Sequence, residues 1–193
     1  DLKGVMGLRE ADTPQCFASL EVLKHAFRRI ETLGKPVVAL LEGAALGGGW
    51  ELALVAHARF ALGRPDIRFG LPEVTLGLIP GATGITKMTR LLGLMAAQPY
   101  LMEGKLMSPA KAHELGLVHG LADSSEDLKA MALQFIEAHE SVMQPWDVKG
   151  YKMPGGSVNS PALAAGLAVA RSAGAAPAGR VNRGFEGLGW YGS

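Results

Sequence analysis

A run of glycines directly before a glutamate is the first feature of this sequence that suggests chemistry. Residues 43–52 read GAALGGGWEL, so a short apolar stretch ends, side-chain bulk disappears, and a helical composition begins near Gly48. The first amides of a helix have no internal acceptor and lie at the positive end of its dipole. They can therefore stabilise an oxygen that gains negative charge during a reaction. Glu51 follows one helical turn later, where it could transfer a proton.

Other interpretations compete with this one. A dinucleotide-binding loop requires G-x-G-x-x-G, but Leu52 occupies the third glycine position. A phosphate-binding loop requires Gly-Lys-Ser/Thr, but Gly48 is followed by Gly49 and Trp50. The remaining alternative is a tight strand-to-helix turn in which Glu51 is merely a solvated acid. Spacing alone leaves this alternative and the catalytic one equally open.

A second glutamate lies in unusually apolar surroundings. Glu73 is the only charged residue between Phe69 and Thr86. Such an acid is either exposed in a turn or buried with a purpose, and burial would raise its pKa. The Pro-Gly-Ala turn at residues 80–82 then leads into the next helix and offers another exposed amide at Gly81. Two glutamates beside an amide-lined turn and an apolar pocket are suited to chemistry next to a carbonyl group.

The elements that must position these residues alternate between helix and strand. An amphipathic helix is predicted over 14–33 and a buried strand over 37–41, and a second helix follows the glycines over 50–58. Two further short strands are predicted over 59–62 and 67–69. This order indicates an α/β domain with helices packed on sheets.

Beyond Pro80 the sequence becomes mainly helical. Ser108 before a proline and Ser124 before acidic residues are both predicted helix N-caps. The Ala/Gly-rich tail over 146–193 has weak periodicity, and we predict it to be irregular. The four helices predicted before this tail cover 85–92, 94–102, 109–115 and 126–139.

Composition limits the classes of partner. The 193 residues carry 19 basic and 18 acidic side chains, and a net charge of +1 gives no reason to expect nucleic acid or a membrane surface as partner. The single cysteine, Cys16, cannot form an intramolecular disulfide, which favours a reducing, cytoplasmic setting. No apolar run approaches the ~20 residues that cross a bilayer. The five histidines lack the spacing of metal ligands, so no metal site is expected.

Three motifs carry a family resemblance. The segments GAALGGGWELAL, FGLPEVTLGLIPGATG and SPAKAHELGLV, in this order, resemble the crotonase (enoyl-CoA hydratase/isomerase) superfamily, and the resemblance covers about residues 1–142. Three further features look closest to the hydratase part of multifunctional β-oxidation enzymes: the motif GLPE, His57 and the segment PWDVKGYKMPGG. The resemblance implies a crotonase-like α/β fold of ββα spiral repeats over 1–103, followed by a helical region of the same domain over 104–145.

The resemblance also implies binding roles. The glycine matching Gly48 supplies one of two oxyanion amides to a thioester oxygen, and we expect Leu46 and Gly47 to contact the substrate beside it. The amide matching Gly81 helps to place a water molecule. The family's other oxyanion amide lies in a segment ending in an A-G-A-D-L-like motif, which we expect upstream of the first residue. Thr83 stands where the family usually has glycine, which would alter the turn before the helix.

In the family, the glutamates matching Glu51 and Glu73 flank the water and deliver its parts across a double bond. The resemblance therefore implies hydration of trans-2-enoyl-CoA to 3-hydroxyacyl-CoA without a cofactor, since CoA is part of the substrate. It also implies a homo-oligomer, a trimer or hexamer, or a place in a multifunctional β-oxidation complex. Two alternatives stay open: double-bond isomerisation by Glu73 alone, and a non-catalytic CoA-binding module.

Overall fold

A computed structural model describes residues 9–156 and 160–174 of the chain. Helices and strands alternate in its first half, and helices dominate the second. None of the described helices is both long and apolar enough to cross a membrane. The elements are α1 (Thr13–Glu31), β1 (Val38–Leu41), β2 (Ala45–Leu46), α2 (Gly48–Ala53), β3 (Ala58–Leu62), β4 (Phe69–Gly70), α3 (Gly84–Leu92), α4 (Leu94–Met102), α5 (Pro109–Glu114), β5 (Gly120–Ala122), α6 (Ser125–Ala138) and α7 (Pro161–Gly174), with 3-10 helices at Glu10–Asp12, Pro72–Leu76 and Pro145–Asp147.

The larger sheet has three parallel strands in the order β1-β3-β5. The central strand β3 pairs Phe60 with Leu40 on one side and with Gly120 on the other. All five residues of β3 are buried. A parallel strand that is covered on both faces has side chains that are buried along its whole length. Even Arg59 is buried, and its guanidinium donates hydrogen bonds to backbone carbonyls.

A smaller sheet pairs β2 with β4, also in parallel. Ala45 lies opposite Phe69, and Leu46 lies opposite Gly70. Each strand is only two residues long, and each leads at its carboxyl end into a short helix. Because parallel strands end at the same edge, the start of α2 and the start of the 3-10 helix Pro72–Leu76 lie side by side.

Trp50 fixes α2 to this small sheet. Its ring stacks on that of Phe69 with 5.1 Å between centroids and 6° between planes, and both side chains are fully buried. A buried tryptophan contributes a large apolar surface to a core. The ring therefore belongs to the core rather than to an exposed binding surface.

The helix predictions that rest on caps are confirmed within one or two residues at each end. The Ser108 hydroxyl accepts a hydrogen bond from the Lys111 amide at the start of α5. The Ser124 hydroxyl does the same for the Asp127 amide at the start of α6.

Several predicted bounds are wrong. The helix predicted over 50–58 ends at Ala53 instead, because the following residues turn the chain back to β3. The structure also contains β2 and β5, which were not predicted. In the tail over 146–193, predicted to be irregular, α7 occupies Pro161–Gly174, where Leu163 is buried. Residues 157–159 and 175–193 lie outside the described part of the chain, so the prediction is not tested there.

Candidate active site

The two predicted glutamates lie at the paired ends of β2 and β4. Glu51 is in the first turn of α2, and Glu73 is in the first turn of the 3-10 helix that follows β4. The Glu73 carboxylate reaches back to the glycine turn. A Cβ atom added to Gly47 would lie only 2.9 Å from Oε1 of Glu73. The small sheet thus brings the glycine turn and both acids together.

Glu51 is buried and held by backbone amides. Only 3% of the residue is exposed. Its Oε1 accepts hydrogen bonds from the amides of Ala82, at 2.9 Å, and Gly84, at 2.7 Å. Both donors bind the same carboxylate oxygen, which fixes the direction in which the side chain points. The alternative that Glu51 is a solvated acid is therefore wrong.

Glu73 lies in a different environment. The residue is half-buried, and its Oε2 is buried with no hydrogen-bond partner among the described residues. Burial raises the pKa of Glu73, a backbone hydrogen bond partly lowers it, and the charge of Glu51 raises it further. Two neighbouring carboxyl groups with different surroundings are the arrangement expected of an acid and a base that act together.

The glycine turn between them has a specific backbone shape. Gly47 has φ 55°, a conformation that favours glycine, and its amide donates a hydrogen bond to the Gly70 carbonyl at 2.9 Å. Gly48 is the first residue of α2, so its amide has no acceptor within the helix. Leu46 precedes them with 42% of its surface exposed. Within the described part of the chain no backbone carbonyl accepts a hydrogen bond from the Gly48 amide, so this amide is free to bind a ligand.

The turn before α3 closes the other side of the site. None of the described residues accepts a hydrogen bond from the Gly81 amide. Thr83, which was expected to alter this turn, adopts φ 91° and ψ 0°, the left-handed conformation that a glycine would take. A Cβ atom on Gly84 would lie 2.9 Å from both Cγ and Oε1 of Glu51. Only glycine allows this approach.

Sequence reasoning did not identify Ala82 and Gly84 as the donors that hold Glu51. A signal was present, because Gly84 opens a helix after a Pro-Gly turn, as Gly48 opens α2 after its own glycine. The same argument about free amides at a helix start therefore applied to residues 82–84. Among residues 9–156 and 160–174, no group of three or more His, Cys, Asp or Glu side chains is arranged to hold a metal ion. That no cofactor is needed stays a prediction.

Comparisons with known proteins assign the family. The chain belongs to the enoyl-CoA hydratase/isomerase family, whose sequence profile matches residues 1–144. It is 42% identical, over 118 residues, to a peroxisomal fatty acid beta-oxidation multifunctional protein of Arabidopsis thaliana, a match that covers 60% of this chain and 16% of that protein. A probable enoyl-CoA hydratase of Bacillus subtilis (strain 168) is also 42% identical over 118 residues, 59% of this chain and 45% of that protein.

Solved structures agree. The crystal structure of an enoyl-CoA hydratase from Bacillus anthracis matches with a TM-score of 0.62 and 33% identity, covering 72% of this chain and 51% of that one. The family resemblance and the crotonase-like fold predicted from the motifs are thus confirmed. The chain spans less than half the length of these two curated relatives and about half of this solved structure.

Proposed function

We propose that the protein is an enoyl-CoA hydratase, which adds water syn across the double bond of a trans-2-enoyl-CoA thioester to give a 3-hydroxyacyl-CoA. The observation that supports this most strongly is the pair of unlike glutamates, Glu51 held by two amides and Glu73 half-buried with a free oxygen. Hydration needs a group that accepts a proton from water and a group that supplies one to carbon. The site contains one candidate for each role.

In this proposal Glu51 is the base and Glu73 the acid. Glu51 accepts a proton from a water molecule, and the hydroxyl group forms the new bond to C3 of the substrate. The electrons of the double bond shift towards the thioester, and C2 then takes a proton from Glu73. Burial raises the pKa of Glu73, which favours the protonated form that this role requires. The proton held by Glu51 must return to Glu73 before the next turnover.

The glycine turn supplies electrostatic stabilisation. Negative charge develops on the thioester oxygen, and the free Gly48 amide can donate a hydrogen bond to it. Because the Gly47 amide is already bonded to Gly70, we propose that Gly47 contributes shape and that the exposed Leu46 contributes apolar contact. The free Gly81 amide would help to place the water.

The family assignment supports an acyl-CoA substrate, and one relative is named as a multifunctional β-oxidation protein. We propose on this basis that the protein acts in fatty-acid β-oxidation, as a homo-oligomer or within a multifunctional complex, without a metal or redox cofactor. The cytoplasmic location stays a proposal, and the Arabidopsis relative is named as peroxisomal.

The test is hydration of crotonyl-CoA by the full-length protein and by two variants. Glu51→Gln and Glu73→Gln are each expected to lower kcat by about 10²–10⁴, the usual contribution of a general acid or base. Glu137→Gln serves as the matched control, because Glu137 is exposed on α6. Near wild-type turnover by either site variant would contradict the role of that residue.

The same proteins separate the two alternatives. An isomerase that uses Glu73 alone would convert a 3-enoyl-CoA to the 2-enoyl isomer, and Glu51→Gln would keep that activity while Glu73→Gln would lose it. A binding module would bind crotonyl-CoA in a calorimeter without turning it over. Hydration that depends on both glutamates excludes both alternatives.

A further inference from the structure

The turn that holds Glu51 contains a strained residue. Thr83 has φ 91° and is the only non-glycine residue with positive φ within residues 9–156 and 160–174. This conformation is a genuine outlier for a β-branched residue and is strained. Thr83 lies between Ala82 and Gly84, whose amides both bind Oε1 of Glu51. Its backbone conformation therefore decides whether the two amides converge on one oxygen.

A buried lysine forms a hydrogen bond with the strained residue. The Lys87 Nζ atom donates a hydrogen bond to Oγ1 of Thr83, one helical turn earlier. The same Nζ lies 2.8 Å from Oε1 of Glu31 on α1, and both side chains are about 95% buried, at 5% and 4% exposure. Burying a charge is unfavourable unless it is paired, so each of these two buried side chains needs the other as its counter-ion.

Glu31 is itself fixed from outside. Its other oxygen, Oε2, lies 3.0 Å from a guanidinium nitrogen of Arg28. That guanidinium also binds both carboxylate oxygens of Asp147 at 2.7 Å. Such a forked pairing sets direction as well as distance. The contacts therefore run from Asp147 through Arg28, Glu31 and Lys87 to Thr83.

We propose that Lys87, oriented by Glu31, is a positioning residue for Glu51 that acts by holding Thr83 in its left-handed conformation. This inference rests on the proposed function, in which Glu51 is the base. The competing explanation is that Lys87 only neutralises the buried charge of Glu31. The two explanations make different predictions for a variant in which residue 83 adopts the left-handed conformation without strain. If Lys87 acts by positioning, it becomes dispensable in that variant; if it is only the counter-ion of Glu31, it does not.

The first test exchanges Thr83 for two residues. Valine keeps the β-branched shape but loses the acceptor for Lys87, and glycine loses both the acceptor and the strain. We expect Thr83→Val to lower kcat at least about tenfold with little change in KM, since a misplacement of 1 Å can cost ~10²-fold. The kcat of Thr83→Gly is expected to stay within about threefold of the wild type, because glycine adopts positive φ without strain and needs no hydrogen bond to hold it there. Equal rates for the two variants would overturn the proposal.

The second test removes the lysine in two backgrounds. Lys87→Met is expected to lower kcat at least about tenfold in the wild type and less than about twofold in Thr83→Gly. An equal loss in both backgrounds would show that Lys87 is only the counter-ion of Glu31, and would overturn the proposal. Lys129→Met, exposed on α6, is the matched control and should change neither rate. If Lys87→Met does not fold, the Thr83 pair decides.

A readout without substrate separates this inference from the proposed function. Hydrogen exchange of the Ala82 and Gly84 amides, followed by NMR, reports their bonds to Glu51 directly. Exchange at least about tenfold faster in Thr83→Val, and near the wild-type rate in Thr83→Gly, would support the role of Lys87 in holding Thr83 even if the protein does not hydrate crotonyl-CoA. Unchanged exchange in Thr83→Val would overturn it, whatever the catalytic result.

Discussion

The amide nitrogen of Gly84 lies 2.7 Å from Oε1 of Glu51, although 33 residues of chain separate the two. The contact is possible only because residue 84 has no side chain. A Cβ atom there would lie 2.9 Å from two atoms of Glu51 and 3.0 Å from Cδ1 of Leu71. Position 84, whose amide orients the proposed base, must therefore be glycine.

Gly84→Ala should therefore displace Glu51. The added methyl group would collide with the buried side chains of Glu51 and Leu71, so the Glu51 carboxylate must move away from its two amides. We expect kcat for crotonyl-CoA hydration to fall by about 10²-fold, as for a misplacement of about 1 Å. Gly43→Ala is the control, because a Cβ atom on Gly43 meets nothing within 4 Å. Similar activities for the two variants would contradict this account.

Gly48 offers a test of the amide itself. A Cβ atom on Gly48 meets nothing within 4 Å, so alanine fits and keeps the N–H group. Proline is tolerated at the first position of a helix but has no N–H to donate. We expect Gly48→Pro to lower kcat by about 10²–10³ and Gly48→Ala to retain most activity. Comparable turnover by two folded variants would remove the Gly48 amide from the mechanism.

The proposed acid should reduce stability at neutral pH. Because burial raises the pKa of Glu73, the folded state favours the protonated form. The stability this group contributes is present below its unfolded pKa of about 4.3 and is lost as pH rises through the folded pKa. Glu73→Gln should therefore raise the free energy of unfolding at pH 7, and the gain should shrink as pH falls through the folded pKa and vanish below about 4.

Urea unfolding at several pH values measures this difference. Glu137→Gln, on the exposed face of α6, serves as the reference for an ordinary glutamate. A Glu73→Gln variant that is less stable than the wild type at pH 7 would show that the carboxylate is well accommodated in its charged form. That result would also weaken its assignment as the acid.

Two residues on α2 should differ sharply in their contribution to stability. Trp50 is fully buried against Phe69, whereas Leu52 is 53% exposed. Trp50→Ala is expected to lower the free energy of unfolding by about 3–5 kcal/mol, because it removes a large buried ring and leaves a cavity. Leu52→Ala is expected to cost less than about 0.5 kcal/mol. Chemical denaturation of both variants checks the difference, and a small effect at Trp50 would contradict its anchoring role.

The sequence was most informative where a local signal sufficed. Ser108 and Ser124 mark helix starts through their own hydroxyl groups, so α5 and α6 were predictable from a few neighbouring residues. The glycine turn and Glu51 were likewise identified from spacing and from the family motifs. The burial of Glu51, however, depends on amides from a segment about thirty residues later, which spacing does not reveal.

Elements that depend on tertiary contact were missed. The two-residue strand β2 shows no alternation of its own and exists because β4 pairs with it. The helix α2 ends at Ala53, although the helical composition of the sequence continues to residue 58, because the chain must turn back to form β3. Just before β3, the His57 ring accepts a hydrogen bond from the Val37 amide, which precedes β1. The left-handed Thr83 is the clearest case, since no property of threonine predicts it.

The contacts around Glu51 differ in the length of chain that they close. Those that build the site, from β2 with β4 to Glu51 with Gly84, span at most 33 residues. The support for Thr83 reaches much further, since Arg28 and Asp147 are 119 residues apart. Closing a longer loop costs more entropy and slows folding. We therefore expect the glutamate pair to assemble first and to become rigid only when Asp147 docks, an order that pulsed hydrogen exchange during refolding can measure.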